Sequence, residues 1–494
     1  MTGSPSSSRP RFGLPLFAVS LAALLASGCR VGPAYQRPSA STAPAFKEDT
    51  VPMPPPNPPD GGWKQVSPND SAIRGNWWEI YGDQQLNQLE EKVAVSNQTL
   101  KAAYQQYMQA RAAVQVFRSQ YYPTVSLDPS ATRARQSRHR ALHVGTVSTY
   151  NDLILAGQAT WEPDLWGAIR NQVESQRGTA QATAGDLANV ELILRSELAT
   201  DYFEMHGLDT QQQLLDNTVV QFQQYLDLTQ TRFRGGVATD SDVALAQTQL
   251  DQTRAQDIDV GVARAQFEHA IATLIGVPAS SFSLPAAPLT LVLPQIPLGV
   301  PSQLLERRPD VAAAERRADA ANAQIGIAIA AYYPTITLGG TGGFESSRPG
   351  NWIQGPSAFW SLGASATELL FDAGRRHAVT QEARAAYELN VANYRETVLQ
   401  SFQDVEDSLS SLRILNSESV AQQRAVASAE RSLLISTNRY KGGVTTYLEV
   451  ITAQTTQLAN QRTAADITTR QFAASVQLVK ALGGGWDNSK LPRP

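Results

Sequence analysis

Two long segments of the chain carry apolar residues at mixed intervals of three and four positions. In the first segment these residues are Leu187, Val190, Leu194, Leu198, Tyr202 and Met205. In the second they are Val391, Tyr394, Val398, Phe402, Val405, Leu409 and Leu412. This spacing is typical of helices that pack side by side, close to a coiled-coil period. It predicts two very long helices, over about 166–233 and about 374–440.

Shorter helices are predicted around the long ones, over about 86–120, 238–275, 303–331 and 444–482. A helix rises about 1.5 Å per residue, so each long helix is expected to extend ~100 Å. The combined length of helices 238–275 and 303–331 matches one long helix. We therefore expect these two to stack end to end, in a cylinder where long helices alternate with stacked pairs.

Four short segments alternate between apolar and polar residues, which is the period of a β-strand. One follows residue 124, and the others cover about 153–161, 334–344 and 359–369. The apolar faces of the last three hold Leu153, Leu155, Ala159 and Trp161, then Ile336, Leu338 and Phe344, then Trp360, Leu362, Ala364 and Ala366. Strands of about ten residues with one apolar face are the signature of transmembrane β-barrels.

Four strands cannot close a barrel, and an open sheet edge is not viable in lipid. Closure therefore requires several chains. Two chains would supply eight strands, whose interior side chains fill, whereas three would supply twelve and could leave a passage.

The tetrapeptide YYPT occurs at 121–124 and again at 332–335, each time between a helix and a strand. Proline ends the helix, and tyrosines are enriched at membrane–water interfaces. We expect the four tyrosines, Tyr121, Tyr122, Tyr332 and Tyr333, to lie at a membrane interface. The alternative is an ordinary helix-to-strand loop in a soluble α+β protein.

The chain is interpreted as a duplication. The sequence RFRGGV at 232–237 returns as RYKGGV at 439–444, and the YYPT pair keeps the same order with nearly the same offset. The predicted organisation is a signal peptide at 1–28, an N-terminal tether at 29–80, a first repeat at 81–275, a connector at 276–302, a second repeat at 303–482 and a flexible tail at 483–494.

The N-terminus has the pattern of an export signal. Arg9 and Arg11 precede an apolar stretch from Phe12 to Ser27, and Cys29 follows directly after small residues. This resembles a bacterial lipoprotein signal, in which the cysteine is acylated and anchors the mature chain to a membrane. The alternative is an ordinary signal peptide with an incidental cysteine. Cys29 is the only cysteine, so a disulfide within the chain is excluded.

Composition narrows the function further. The formal net charge of −4 does not suggest nucleic-acid binding, and no apolar run after Cys29 reaches the ~18 residues of a membrane-spanning helix. The sequence contains no nucleophile elbow, phosphate loop or zinc motif. We therefore expect neither an enzyme nor a cofactor or metal site.

Further motifs identify a known family. They are VGPAYQRP after Cys29, NWWEIYGDQQLNQL at 76–89 and LLERRPDVAAAE at 304–315, together with the YYPT and GGV pairs. As a set they resemble the TolC-like outer-membrane factor family, lipoprotein (NodT-type) branch of tripartite efflux systems. The resemblance implies a mixed, mostly α fold whose four strands join a trimeric twelve-stranded outer-membrane β-barrel, continuous with a long periplasmic α-helical barrel.

The resemblance also implies partners and a location. It implies a homotrimer in the outer membrane of a Gram-negative bacterium, lipid-anchored and extending into the periplasm. It implies passive export of small molecules such as drugs, with a periplasmic adaptor and an inner-membrane transporter of the RND type. The alternatives are a channel for type I protein secretion or a lipid-anchored coiled-coil scaffold without a pore.

The GGV turns have a structural interpretation and a functional one. Glycine permits the positive φ of a tight reversal, and Thr239 with Asp242 and Thr446 with Glu449 have capping-box spacing. The resemblance implies that the same tips contact the adaptor. The residues expected there are Arg232, Gly235, Gly236, Val237, Arg439, Gly442, Gly443 and Val444.

The gate of the channel entrance departs from the family pattern. Thr452 and Thr455 stand where related sequences often carry the aspartate and arginine that hold the entrance closed. Asp240, Asp242 and Glu449 could instead form an acidic ring, since copies of a carboxylate around an axis concentrate negative charge. The alternative is that these three residues only cap helices.

Overall fold

Two helices of 67 residues each form the frame of the chain in the computed structural model. The structure describes residues 30–40, 45–48, 75–137, 149–294, 296, 304–486 and 488–491. The longer helices are α1 (Gln84–Ser96), α2 (Gln98–Arg118), α3 (Ala168–Arg234), α4 (Asp240–Leu274), α5 (Pro309–Ala330), α6 (Arg375–Lys441) and α7 (Tyr447–Ala481), and a single helical turn, Leu304–Arg307, precedes α5. The strands are β1 (Thr124–Arg135), β2 (Thr149–Trp161), β3 (Thr335–Ser346) and β4 (Ala358–Thr367). The two predicted long helices are confirmed as α3 and α6.

The predicted helix 86–120 is wrong as a single element, because it is broken at Asn97. This residue is extended, with φ −62° and ψ 126°, and separates α1 from α2. Its side-chain oxygen accepts a hydrogen bond of 2.9 Å from the main-chain nitrogen of Leu100. Asparagine is a preferred N-cap, so it starts a new helix here instead of continuing the old one.

The predicted stacking of helices 238–275 and 303–331 is also wrong. The end of α4 meets the start of α2, where Asn97 Nδ2 donates to the main-chain oxygen of Leu274 at 2.8 Å. The end of α7 meets the start of α5, where Arg308 Nη1 donates to the main-chain oxygen of Ala481 at 3.3 Å. Each stacked pair therefore lies within one repeat. Summed length did not discriminate, because α2 and α5 are almost equally long, with 21 and 22 residues.

The four strands form one antiparallel sheet in the order β1-β2-β3-β4. Leu155 pairs with Pro129 on one side and Phe344 on the other, so the predicted apolar positions share one face. Ser, Thr, Gln and Asp residues occupy most of the opposite face. Leu127 and Leu362 on the apolar face are 67% and 79% exposed in the single chain. Within the described residues, the outer edges of β1 and β4 pair with no strand.

The main hydrophobic core lies midway along the long helices, where α1, α3, α4 and α7 meet the connector. Phe203 of α3 packs between Tyr81 and Phe472, with ring centroids 4.8 Å from each. Large aromatic side chains contribute much of the buried apolar area that joins helices. This core holds the middle of α3 to the end of α7 and thereby joins the two repeats.

The described part of the N-terminal segment is fastened to the helices. Near its start, the main-chain nitrogen of Val31 donates to the oxygen of Trp166 at 3.1 Å. Farther along, the Tyr35 hydroxyl donates to Glu315 Oε1 at 2.8 Å, and the main-chain nitrogen of Lys47 donates to Glu406 Oε1 at 2.7 Å. The predicted lipidation site Cys29 lies outside the described residues. It immediately precedes the part of the chain that is bound beside the end of the sheet.

No described helix combines the length and the apolar character that crossing a membrane requires.

Candidate functional site

The two GGV turns close the helical hairpins in the same way. Val237 donates its main-chain N–H to the oxygen of Arg232 at 2.9 Å, and Gly236 donates to Phe233 at 2.9 Å. Val444 and Gly443 make the equivalent bonds of 2.9 and 3.0 Å in the second hairpin. These bonds form a Schellman motif, which requires a left-handed residue after the helix. Gly236 and Gly443 fill that position with φ of 75° and 72°.

The helices after the two turns begin differently. Thr239 and Asp242 form the predicted capping box, with Thr239 N donating to Asp242 Oδ2 at 2.9 Å and Asp242 N donating to Thr239 Oγ1 at 3.2 Å. The predicted capping box of Thr446 and Glu449 is wrong, because Thr446 makes no side-chain cap hydrogen bond. Glu449 instead lies 3.9 Å from Arg439 Nη1, since its longer side chain reaches the neighbouring helix.

Arg232 links the first hairpin to the second. Its Nη1 donates to the main-chain oxygen of Tyr440 at 3.1 Å, and its guanidinium lies 4.6 Å from the centre of the Tyr440 ring. The Tyr440 ring packs in turn on Tyr447 at 5.4 Å. The main-chain oxygen of Tyr440 also accepts from Gly443 in the turn, and a basic side chain near the carbonyl end of a helix is favourable. Two turns 207 residues apart in sequence are thereby held together.

A small apolar cluster between the hairpins packs against this contact. Its buried members are Phe222, Leu226, Ala246, Leu250, Tyr440, Tyr447 and Val450. The Tyr225 hydroxyl and the Thr437 hydroxyl lie 3.1 Å apart beside it. Burial raises the pKa of the Tyr447 hydroxyl, so this side chain stays neutral. The turns themselves remain open to solvent, with Val237 and Val444 67% and 70% exposed.

The proposed gate residues are distributed unequally. Asp242 is used by its capping box, and Glu449 approaches Arg439, whereas Asp240 is exposed at the start of α4. Thr452 and Thr455 donate their hydroxyls to the main-chain oxygens of Leu448 and Ile451 in their own helix, at 2.9 and 3.0 Å. These two threonines therefore form no charge lock within the chain.

The tyrosines of the YYPT sequences lie where helices end and strands begin. The Tyr333 ring stacks on Trp166 with centroids 4.8 Å apart, and Trp166 Nε1 donates to the main-chain oxygen of Pro334 at 2.9 Å. Tyr122, in contrast, is 71% exposed, and the guanidinium of Arg376 lies 5.3 Å from the Tyr332 ring. The main-chain oxygen of Tyr121 accepts from the indole of a strand residue, Trp161, at 3.0 Å.

Sequence reasoning missed Tyr440, Tyr447 and Trp166. The signal for Tyr440 was present, because an aromatic residue follows the arginine in both RFRGGV and RYKGGV. The role of Tyr440 depends on its contact with the other hairpin, and the sequence of the turn alone does not show which hairpins are neighbours.

Comparison with known proteins identifies the family. Residues 89–277 and 300–484 match the family model described as outer membrane efflux protein. The chain belongs to the outer membrane efflux protein family. Within this family, it is 30% identical over 427 residues to the pyoverdine export outer membrane protein OpmQ of Pseudomonas aeruginosa, covering 85% of this chain and 90% of OpmQ.

Other members of the family are similar over nearly the whole chain. The toluene efflux pump outer membrane protein TtgC of Pseudomonas putida is 28% identical over 478 residues, covering 95% of this chain and 96% of TtgC. The solved structure of the outer-membrane channel OprN superimposes with a TM-score of 0.83 at 26% identity, covering 93% of this chain and all of that one.

The fold class is confirmed: this efflux protein is a mostly helical, duplicated α+β chain, with four strands for a membrane β-barrel and long helices for an α-helical barrel. It is an efflux channel component of the outer membrane. The predicted family is likewise confirmed.

Proposed function

We propose that three copies of this efflux protein form one channel, in which each contributes its four strands to a twelve-stranded barrel. The observation that carries the proposal is the open sheet, whose apolar face and two unpaired edges cannot stand alone in lipid. Pairing β4 of one chain with β1 of the next removes every edge. The polar face then lines a water-filled passage, and the apolar face meets the bilayer.

Two features position this channel in the membrane, the YYPT tyrosines and the acylated N-terminal cysteine. Tyr121, Tyr122, Tyr332 and Tyr333 lie at the periplasmic interface of the barrel, where an aromatic ring has both an apolar and a wet environment. Acylation of Cys29 anchors the chain in the same membrane. This is supported by the binding of Val31 beside Trp166, at the sheet end of the helices. The domain division, with repeats 81–275 and 303–482, belongs to the same proposal.

The hairpin tips form the contact with a periplasmic adaptor, which couples the channel to an inner-membrane transporter of the RND type. The proposed contact residues are Arg232, Gly235, Gly236, Val237, Arg439, Gly442, Gly443 and Val444. Two features support this assignment. Val237 and Val444 are exposed apolar residues at the extreme end of the molecule, and rigid Schellman turns present them in a fixed geometry.

Transport is passive passage of small molecules without catalysis. The carboxylates Asp240, Asp242 and Glu449, repeated in three chains, shape an acidic entrance. The names of the relatives favour small solutes over secreted proteins, since OpmQ exports pyoverdine and TtgC serves a toluene pump.

The test is single-channel conductance of the purified protein in planar bilayers. Wild type is compared with Asp240→Asn, whose carboxylate is exposed, and with Asp251→Asn as a control on the same helix. We expect conductance from trimers and a reduced cation preference for Asp240→Asn only. Absence of conductance from correctly inserted trimers, even with both GGV turns deleted, would refute the channel. An equal effect of both variants would refute the acidic entrance.

A further inference from the structure

The two hairpins are equivalent residue by residue at an offset of 207. In the first, Arg254 Nη2 donates to Gln223 Oε1 at 3.0 Å across the hairpin. In the second, Gln461 Nε2 donates to Glu430 Oε1 at 3.1 Å, and both positions are shifted by 207. The Schellman bonds of the two turns are shifted by the same number. Counterparts in the two hairpins can therefore be assigned one to one.

This correspondence applies to the contact between hairpins. Arg232 of the first hairpin binds Tyr440 of the second. The counterpart of Arg232 is Arg439, and the counterpart of Tyr440 is Phe233. The chemistry is kept, because Arg439 is again a guanidinium and Phe233 is again an aromatic residue at the end of a long helix. In the single chain these two lie in different hairpins, 53% and 44% exposed.

The surface around Arg439 is also incomplete in the single chain. Leu228 packs on the apolar cluster between the hairpins, whereas its counterpart Ile435 on α6 is 48% exposed. Val450 of α7 is fully buried between the hairpins, whereas its counterpart Val243 on α4 packs only at the edge of the same cluster and stays half-buried. Within the chain, α3 packs against α7 of the other hairpin. The face of α6 that carries Ile435 and Arg439, here called its free side, has no such neighbour among the described helices. The matching free side is that of α4.

We infer that Arg439 binds Phe233 of a second copy of this chain, and so repeats between chains the contact that Arg232 makes within one. The guanidinium donates to the main-chain oxygens of Phe233 and Arg234 of the neighbouring chain and lies over the Phe233 ring. The free side of α6 covers α4 of that neighbour. This inference rests on the proposed trimer and names the residues that close its ring of six hairpins.

The two kinds of contact differ in one respect. Arg439 has a competing partner, Glu449, at 3.9 Å in its own chain. The counterpart of Glu449 is Asp242, which is held by Thr239 in a capping box and so does not compete for Arg232. The contact within the chain therefore has no such competitor, whereas the contact between chains can be released by Glu449. Opening of the entrance would separate neighbouring chains at this point.

Cross-linking of introduced cysteines tests the contact. Phe233→Cys/Arg439→Cys is treated with a short bis-maleimide in isolated outer membranes. Arg232→Cys/Tyr440→Cys is the matched control for the contact within the chain, and wild type controls for Cys29. We expect covalent dimers and trimers from the first pair and a shifted monomer from the second. Either single-cysteine variant should give no trimer.

The inference is overturned if the control pair cross-links but the first pair yields only monomers in protein that is trimeric by native electrophoresis. Cross-linking of the first pair to an adaptor instead of a second copy would also overturn it. Loss of the trimer in wild type would refute the proposed function, and native electrophoresis detects that separately.

Basal conductance provides a second readout. It distinguishes a Glu449 that competes for Arg439 from a Glu449 that itself holds the entrance closed. If Glu449 competes for Arg439, Arg439→Gln raises the open probability by about tenfold and Glu449→Gln lowers it. If Glu449 were the lock itself, both variants would raise it, and that result would contradict the inference.

Discussion

The side chain of Asn97 joins the ends of two helices that lie 177 residues apart in sequence. Its Nδ2 donates to the main-chain oxygen of Leu274 at 2.8 Å, and its Oδ1 accepts from the main-chain nitrogen of Leu100 at 2.9 Å. One buried amide thus caps the start of α2 and satisfies the end of α4. The stacked pair of the first repeat depends on this residue.

Asn97→Ala should destabilise the stacked pair by about 2 kcal/mol, because it removes an N-cap and leaves buried main-chain groups unpaired. The measurement is the thermal unfolding midpoint of the detergent-solubilised protein. Asn390→Ala is the matched control, since the amide of Asn390 donates to Ala386 of its own helix and the residue is only half-buried. Equal midpoints for the two variants would contradict the assigned role.

Glu90 should make the protein less stable as pH rises. It is fully buried in α1, both carboxylate oxygens lack a hydrogen-bond partner among the described residues, and burial raises its pKa well above 4.5. Below that value the group is protonated in both the folded and the unfolded state. Above it, only the unfolded state ionises freely, so stability is lost as pH rises towards the folded-state pKa.

Glu90→Gln should therefore raise the unfolding midpoint relative to wild type, by an amount that grows as pH rises above 4.5. Glu91→Gln is the control, because this neighbouring side chain is exposed. The same pH profile for both variants would show that burial of Glu90 has no energetic consequence.

Asp209 should fasten the connector to α3. Its Oδ1 accepts from Arg264 Nε at 2.6 Å, and its Oδ2 accepts from the main-chain nitrogen of Ala287 at 3.0 Å. Burial alone would raise its pKa, but the hydrogen bonds from His206, Ala287 and Arg264 outweigh it and lower the pKa. The stabilisation is therefore present above the ordinary value of 3.8 and is lost as pH falls through the lower folded-state pKa.

Asp209→Asn should cost about 2 kcal/mol at neutral pH, because it removes the closer of the two carboxylates that pair with Arg264 and leaves only Glu268, at 3.6 Å. Hydrogen exchange of the Ala287 amide should quicken, and the difference from wild type should shrink below about pH 4. Asp251→Asn, at an exposed position, should leave exchange of this amide unchanged. Unchanged exchange in Asp209→Asn would show that other contacts hold the connector.

Adjacent residues of β4 should respond oppositely to a charge. Leu362 lies on the apolar face and Ser361 on the polar face. Leu362→Arg should cost about 2–4 kcal/mol of insertion free energy, whereas Ser361→Arg should insert and reduce cation conductance. Heat-modifiable migration and bilayer conductance measure the two effects. Insertion of Leu362→Arg as efficient as that of Ser361→Arg would contradict the assignment of faces.

Gly236→Ala should weaken the first turn by about 1 kcal/mol, since Gly236 has φ of 75° and an alanine there is strained. An added Cβ would meet no atom within 4 Å, so the cost is purely one of backbone conformation. Hydrogen exchange of the Val237 amide should quicken about fivefold. Gly235→Ala, where φ is −82°, should have little effect, and equal rates would contradict the Schellman assignment.

Features that depend on local spacing were determined by the sequence itself. The 3/4 spacing predicted α3 and α6, the period of two predicted the shared apolar face of the sheet, and Gly236 and Gly443 marked the two reversals. Each depends on the geometry of one helix, strand or turn, which a few neighbouring residues set.

Tertiary structure decided how these elements meet. The break at Asn97 and the pairing of α4 with α2 depend on the buried carbonyl of Leu274, far away in sequence. Glu449 does not complete a capping box with Thr446 and lies 3.9 Å from Arg439 across the turn. The hydrogen bond from Arg232 to Tyr440 requires two hairpins to lie side by side. Local spacing cannot encode such contacts, because their free energy comes from groups that become neighbours only when the whole chain has folded.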